Sequence, residues 1–313
     1  MSKFLYESFL LMLAMTSDTI LSMLRGCMRN ILLSGLLIGV TAIWGWTFTV
    51  VRDAIAVYSV LGFLAIRFTI ASASLGIFSA RRLTRQTFAV GSGIGVVLAI
   101  GYLFQTVGLR YTTPTNSGLI TGLFVVFAPI ADRLLFGVRL NRIFWLPVGA
   151  SVIGMVLLAG QSPAAFRVGD ALTLGCAVAF GIHIALLSRY AKSHDASALA
   201  LAQMLSTAIL FLIAWPLFEP LALPQPTVWF ALFLTGIIAS AAAFTVQTFV
   251  QQRLPAIRAA IILTMEPVFA AFFGYILAGD RLSPIQGVGA ILILTALIVG
   301  EVYPMMRNVK REA

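Results

Sequence analysis

Charge is what this sequence lacks. Only 10% of its 313 residues are Asp, Glu, Lys or Arg, against about one-quarter in globular domains. A mean hydropathy of +1.00 with 60% hydrophobic residues excludes a disordered chain, which needs low hydrophobicity. It also exceeds what a soluble fold of this length can hide. Cysteine is nearly absent too. Cys27 and Cys176 stand far apart and no CxxC occurs, which leaves no disulfide framework or zinc site, only apolar fillers. GxxxxGK[ST], HExxH and GxSxG are missing, so nucleotide-driven pumping, zinc proteolysis and α/β-hydrolase chemistry have no basis in the sequence. No enzymatic activity, metal or cofactor is expected.

Long hydrophobic runs are abundant. A bilayer core takes about 20 apolar residues per helix, and ten stretches qualify as spans. The first five are Ile31–Val51, Val60–Ala80, Phe88–Leu109, Thr115–Phe136 and Ile143–Gly160. The second five are Asp170–Tyr190, Ala196–Phe218, Val228–Val250, Ala259–Ala278 and Pro284–Pro304. The connections are short and carry turn signals such as Thr113-Pro114, Ser162-Pro163 and Leu254-Pro255. None can form a soluble domain, so function must reside within the bundle. The expected fold is an all-α polytopic membrane protein.

The few charges are nevertheless unbalanced, with a net +10. In a soluble protein this would suggest nucleic acid. With a cytoplasmic N-terminus and ten alternating spans, 16 of the 21 basic residues fall inside, as the positive-inside rule demands. Only Arg52, Arg110, Arg167 and Arg281 fall outside, and Arg67 lies within a span. The basic excess therefore sets orientation, with anionic inner-leaflet lipid as its partner and no nucleic acid. The expected location is the inner (cell) membrane, multi-pass, with both termini cytoplasmic and 305–313 as a basic tail. Residues 1–27 are set apart. Phe9–Met15 is too short to span, and Met28-Arg29-Asn30 looks like a natural start. This segment is expected to be either an upstream extension foreign to the native chain or a short amphipathic stretch on the inner leaflet.

A weak internal repeat divides the remainder into residues 28–160 and 169–304. Gly137-Val-Arg139-Leu140 followed by Gly149-Ala150 returns as Gly279-Asp-Arg281-Leu282 followed by Gly289-Ala290. Pro114 and Pro255 stand at the start of the fourth span of each half. Five spans per half is an odd number, so the halves insert with opposite orientation. Inverted five-helix repeats are a transporter signature, two similar bundles rocking around a midplane site.

The run QTFVQQRLPAIRAAIILTMEPVFA from Gln247 to Ala270 resembles the second repeat of the EamA family of the drug/metabolite transporter (DMT) superfamily. Trp44-Gly45, Arg67 and the stretch from Gln105 through Gly122 support the resemblance, which covers residues 28 to about 304. One departure is the proline of the fourth span. Many members carry it where this chain has Val125, and here it falls at Pro129. That weakens any reading carried over from the superfamily's amino-acid exporters. The resemblance implies a carrier and an export direction.

Glu266 is the leading candidate for the substrate or ion pathway. A carboxylate at mid-span is costly, faces a cavity and marks substrate or proton routes. Pro267 removes the amide that would bond the Leu263 carbonyl, a helix break tolerated only where protein or water satisfies the freed oxygen. Arg67 offers a carboxylate partner, against a reading as a snorkelling side chain or a fixed ion pair. Gln105 and Gln247 occupy corresponding positions in the third and eighth spans. With Tyr102, Asn116, Thr121, His183 and Tyr275 they supply neutral hydrogen-bonding groups, although such groups also serve as interhelical glue worth about 0.6 kcal/mol each. Trp44, Trp46, Phe124, Phe127 and Met265 offer aromatic or apolar walls. Pro129 is a second candidate helix break. Gly35xxxGly39, Gly91xxxGly95 and Gly118xxxGly122 read as close helix packing.

The function expected is a secondary transporter that exports small metabolites, amino acids first, by alternating access. Efflux of hydrophobic or cationic drugs is the alternative, and a non-transporting membrane scaffold the rival of another class. Assembly is left open, with a homodimer as one arrangement.

Overall fold

The computed structural model describes residues 17–112, 114–138, 142–159, 168–277 and 283–312, with side chains between 28 and 300 except those of Thr115, Asn116 and Ala159. Residues 1–16, Arg139, Arg167 and 279–282 therefore lie outside the described residues, as do the side chains of Cys27, Asn116 and the basic tail.

The described residues are helical and contain no strand. The helices are α1 (Ser17–Val57), α2 (Val60–Ser79), α3 (Arg85–Leu109), α4 (Pro114–Thr121), α5 (Phe124–Phe136), α6 (Trp145–Ala159) and α7 (Val168–Tyr190). There follow α8 (Ala196–Phe218), α9 (Pro226–Phe233), a π-helical stretch Leu234–Ala242, α10 (Ala243–Gln251), α11 (Ala256–Leu263), α12 (Met265–Leu277) and α13 (Pro284–Glu312). Among the described residues, eight helical stretches are long and apolar enough to cross a bilayer. The fifth and tenth expected spans correspond to shorter apolar helices, Arg142–Leu158 and Pro284–Gly300. The first span is part of a helix that begins at Ser17, so the segment before Met28 continues the first span's axis.

Local chemistry explains the boundaries. Ser59 accepts from the Gly62 amide and Thr84 from the Thr87 amide, capping α2 and α3. Asp195 caps α8 through the amides of Ser197 and Ala198. The Ser197 hydroxyl above all holds its carboxyl below the usual carboxylate range. A lowered native value stabilises the ionised cap at neutral pH, and that contribution is lost only as acid protonates it. Gly137 ends α5 at φ 66°, in the left-handed region that glycine enters without Cβ strain.

Two of the candidate spans are interrupted partway along their length. One is broken at Gly122-Leu123, between α4 and α5, and the other at Thr264, between α11 and α12. The second break lies where Pro267 withholds an amide from the Leu263 carbonyl. The first does not fall at Pro129, which sits inside α5. Here the helix tightens one turn earlier, where Val125 and Val126 donate to carbonyls three residues back. The two breaks abut, because a side chain at Gly122 would meet the Pro267 ring at 3.0 Å.

The most extensive packing joins spans of one half of the sequence to spans of the other. α2 lies along α8 and α6 along α13. Gly154 and Gly289 bring the α6 and α13 backbones together, since a Cβ at Gly289 would lie 2.6 Å from the Gly154 carbonyl oxygen. Gly91 and Gly95 admit α8 in the same way. Gly35 and Gly39 do not behave as expected. Both face outward with nothing within 4 Å, so that motif is not a packing seam among the described residues.

Three hydrophobic clusters form among the described residues, two large and a small one of Ile94, Leu187, Ala191 and Leu199. One large cluster joins α1, α2, α3, α8 and the stretch from α9 to α10, and the other joins α1, α4, α5, α6, α7 and the stretch from α10 to α13. Each draws on both halves of the sequence. Spans of one half thus pack on spans of the other rather than each half closing on itself. Trp44 and Phe180 touch both large clusters. Outward side chains such as Leu134, 79% exposed, Phe78 and Phe218 are apolar, as a lipid-facing surface requires.

Candidate functional site

A cavity of about 50 Å³ lies where the two large clusters meet. Seven of the eight pathway residues expected from the sequence line it: Glu266, Arg67, Gln105, Gln247, Trp44, Tyr102 and His183. The eighth, Asn116, has its side chain outside the described residues. The lining runs as far as Leu109, the last residue of α3, at the end assigned outside by the arginine distribution. At the opposite end, the Gln251 amide donates to the Ile184 carbonyl (2.9 Å) and the Ser188 hydroxyl (2.6 Å), latching α10 to α7 one turn below Gln247.

Arg67 is 3% exposed. It does not snorkel, and among the described residues it makes no ion pair. Its Nε donates to the Ser240 hydroxyl (2.9 Å) and its Nη2 to the Tyr102 hydroxyl (3.2 Å). The guanidinium also lies 4.6 Å from the Tyr102 ring centroid and 5.3 Å from that of Phe68. All these partners are neutral. They orient the cation without cancelling its charge, and a guanidinium has five N–H donors to satisfy.

Glu266 is 5% exposed, and among the described residues its carboxyl has neither a hydrogen bond nor an ion pair. It is placed by the broken span and by Gly45 on α1. A Cβ at Gly45 would lie 2.9 Å from the Glu266 carbonyl oxygen and 2.7 Å from the Ala270 amide nitrogen. That contact yields a stability prediction. Gly45→Val is expected to push α1 off α12 and cost about 1–3 kcal/mol, read as a lower thermal midpoint in detergent. Gly35→Ala, with open space around it, should leave the midpoint unchanged.

The remaining polar groups divide. Gln105 donates to Thr121 (3.3 Å), so it ties α3 to α4 as well as facing the cavity. His183 Nε2 faces Gln203 Oε1 at 2.8 Å, a buried pair between α7 and α8. The Trp44 indole N–H donates to the Ala239 carbonyl (2.8 Å). Among the described residues, Gln247 Oε1 is buried without a hydrogen-bond partner. Tyr275 is half-exposed on the outer surface. Among the apolar candidates, Trp44 and Phe124 line the cavity. Trp46 instead packs on Phe273, and Phe127 lies against Gly181. Cys176 is a buried free thiol. Among the described residues, no three His, Cys, Asp or Glu side chains gather to hold a metal.

Sequence reasoning missed Phe48, Phe180 and Phe244 in the lining, and Ser240 behind Arg67. A signal existed for the aromatics. Each lies three or four residues from a recognised site residue (Trp44, His183 and Gln247), the spacing that puts side chains on one helix face. Ser240 carried no such signal, because its neighbour comes from a distant span.

The EamA-like transporter family model matches the chain twice, over residues 32–160 and 167–299. An uncharacterized transporter of Archaeoglobus fulgidus is 37% identical over 262 residues, which cover 83% of this chain and 82% of that protein. The uncharacterized transporter YoaV of Bacillus subtilis is 21% identical, over 84% of this chain and 94% of its own length. A solved structure, described only as the crystal structure of a protein, superposes with a TM-score of 0.70 at 22% identity, covering 86% of this chain and 97% of the other.

Proposed function

The chain belongs to the EamA-like transporter family, and on that footing we propose that it is a secondary carrier of amino acids, working in the export direction that the resemblance implies. The observation that carries the substrate class is the pairing of Arg67 and Glu266 in one cavity, both buried and neither neutralised by the other. A zwitterion supplies a carboxylate to the first and an ammonium to the second. Gln247 Oε1, a buried acceptor awaiting a donor, adds to the ammonium side. The aromatic wall of Trp44, Phe48, Phe180 and Phe244 suits an apolar side chain. A lone hydrophobic cation would meet Arg67 unpaired, which disfavours the drug-efflux reading. A scaffold has no use for two isolated buried charges.

The mechanism proposed is alternating access by ten spans in two inverted halves. Support comes from matched details at opposite ends of the bundle. Arg110, five residues after Gln105, donates to the Ile55 and Tyr58 carbonyls at the end of α1. Gln252, five residues after Gln247, donates to the Ala191 and His194 carbonyls just beyond α7. Each residue ties the third span of its half to carbonyls three residues apart that follow the first span. The boundary that would open and close is the one between the two large clusters, where the cavity lies. Glu266 exchanges a proton for the substrate's ammonium group, with Arg67, Tyr102 and His183 as the other titratable groups on the cavity. The basic residues support cytoplasmic termini in a cell membrane.

Counterflow in proteoliposomes tests this reading. Radiolabelled L-phenylalanine should exchange against unlabelled amino acids and not against tetraphenylphosphonium. Exchange of the cation alone would support drug efflux, and no flux across a broad metabolite panel would support the scaffold.

A further inference from the structure

The Arg67 guanidinium is held by an irregularity in another span. Residues Leu234–Ala242 form a π-helix between α9 and α10. The Ala243 amide bonds the Ile238 and Ser240 carbonyls and passes over that of Ala239. The Ala239 carbonyl accepts the Trp44 indole instead. The widened turn is pressed onto α2, where a Cβ at Gly236 would lie 3.0 Å from the Arg67 carbonyl oxygen and 2.8 Å from Ile70. This close approach brings Ser240, fully buried, one turn further along, into hydrogen-bond range of Arg67 Nε. One π-helical stretch thus orients a cavity aromatic through a main-chain oxygen and a cavity cation through a hydroxyl. π-helical turns of this kind recur at functional sites.

We propose that Ser240 is a positioning residue that sets specificity for a carboxylate-bearing substrate. It anchors Nε, and Tyr102 takes one of the two Nη2 N–H groups, so the second Nη2 N–H and the two on Nη1 remain, and one from each nitrogen can meet an anionic group in the cavity. The fixed fork of a guanidinium matches the two oxygens of a carboxylate only when its plane is held. Without the Ser240 hydroxyl the cation stays in the cavity but loses its fixed orientation. The carboxylate form of a ligand then loses affinity, while the amide form, which gains little from the fork, does not. The inference rests on the amino-acid reading given above.

The probes are L-phenylalanine and L-phenylalaninamide, bound to the purified full chain in nanodiscs. Wild type should prefer the acid to the amide. Ser240→Ala should reduce that preference by about tenfold, through weaker binding of the acid, and Ser240→Thr should restore it. A purely structural role would instead weaken both probes together or lower the thermal midpoint without changing their ratio. If Ser240→Ala keeps the wild-type ratio, the positioning role is wrong while the amino-acid reading survives. If wild type itself does not distinguish acid from amide, the amino-acid reading falls and the role of Ser240 falls with it.

Discussion

Glu266→Gln is expected to flatten the pH dependence of exchange and to weaken amino-acid binding, while the protein folds as before. The shape of the side chain is retained and the charge removed. Among the described residues nothing donates to this carboxyl, so the substitution leaves no partner orphaned. It also removes a charge that is costly to keep within the membrane, so the thermal midpoint should hold or rise. Binding loses the difference between a charged and a neutral acceptor for the substrate ammonium, about 1.5–3 kcal/mol. That corresponds to roughly ten- to 150-fold in affinity. Proteoliposome exchange measured across a pH series at fixed substrate checks both parts. A variant that transports with the wild-type pH profile would show that Glu266 carries no proton in the cycle.

The second large effect is expected at Arg67. Arg67→Gln removes the cation and leaves Ser240 and Tyr102 as hydroxyls that can satisfy one another or water. Losing the charged partner of a buried carboxylate typically costs about 2–5 kcal/mol, so affinity for L-phenylalanine should fall by at least about 30-fold. Binding of L-phenylalaninamide should change far less. Arg67→Lys is expected to rescue only part of the loss, since an ammonium cannot be anchored at two positions while presenting a fork. Isothermal titration of both ligands against each variant reads the effect. Equal losses for acid and amide would remove Arg67 from the anion subsite.

These two residues were legible in the sequence because burying charge in a membrane is costly and therefore rare. In a chain so poor in charge, a carboxylate or guanidinium inside a span stands out. The helices were legible for a related reason. Lipid demands internally bonded backbone and apolar side chains, so hydropathy alone located the spans to within a few residues for Val60–Ser79 and Ala196–Phe218. Pro267 foretold a break at Thr264 because the missing amide acts locally. Pro129 misled, since the interruption at Gly122-Leu123 is where another broken span crosses. Gly35xxxGly39 misled for the complementary reason. Small residues permit close approach, but only a partner makes it happen.

The sequence by itself determined a basic, multi-span helical membrane chain, its family, and which few residues are too costly to be ornamental. Those conclusions follow from transfer energies and local backbone chemistry, which act over a turn or a span. Only the tertiary structure decided that spans of one half pack on spans of the other, so that each hydrophobic cluster mixes both. It alone placed Arg67 and Glu266 in one cavity without letting them pair. It alone turned a π-helical stretch in a distant span into the mount for both Arg67 and Trp44. Those arrangements depend on shape complementarity and hydrogen bonds between segments more than 170 residues apart, and no local pattern encodes them.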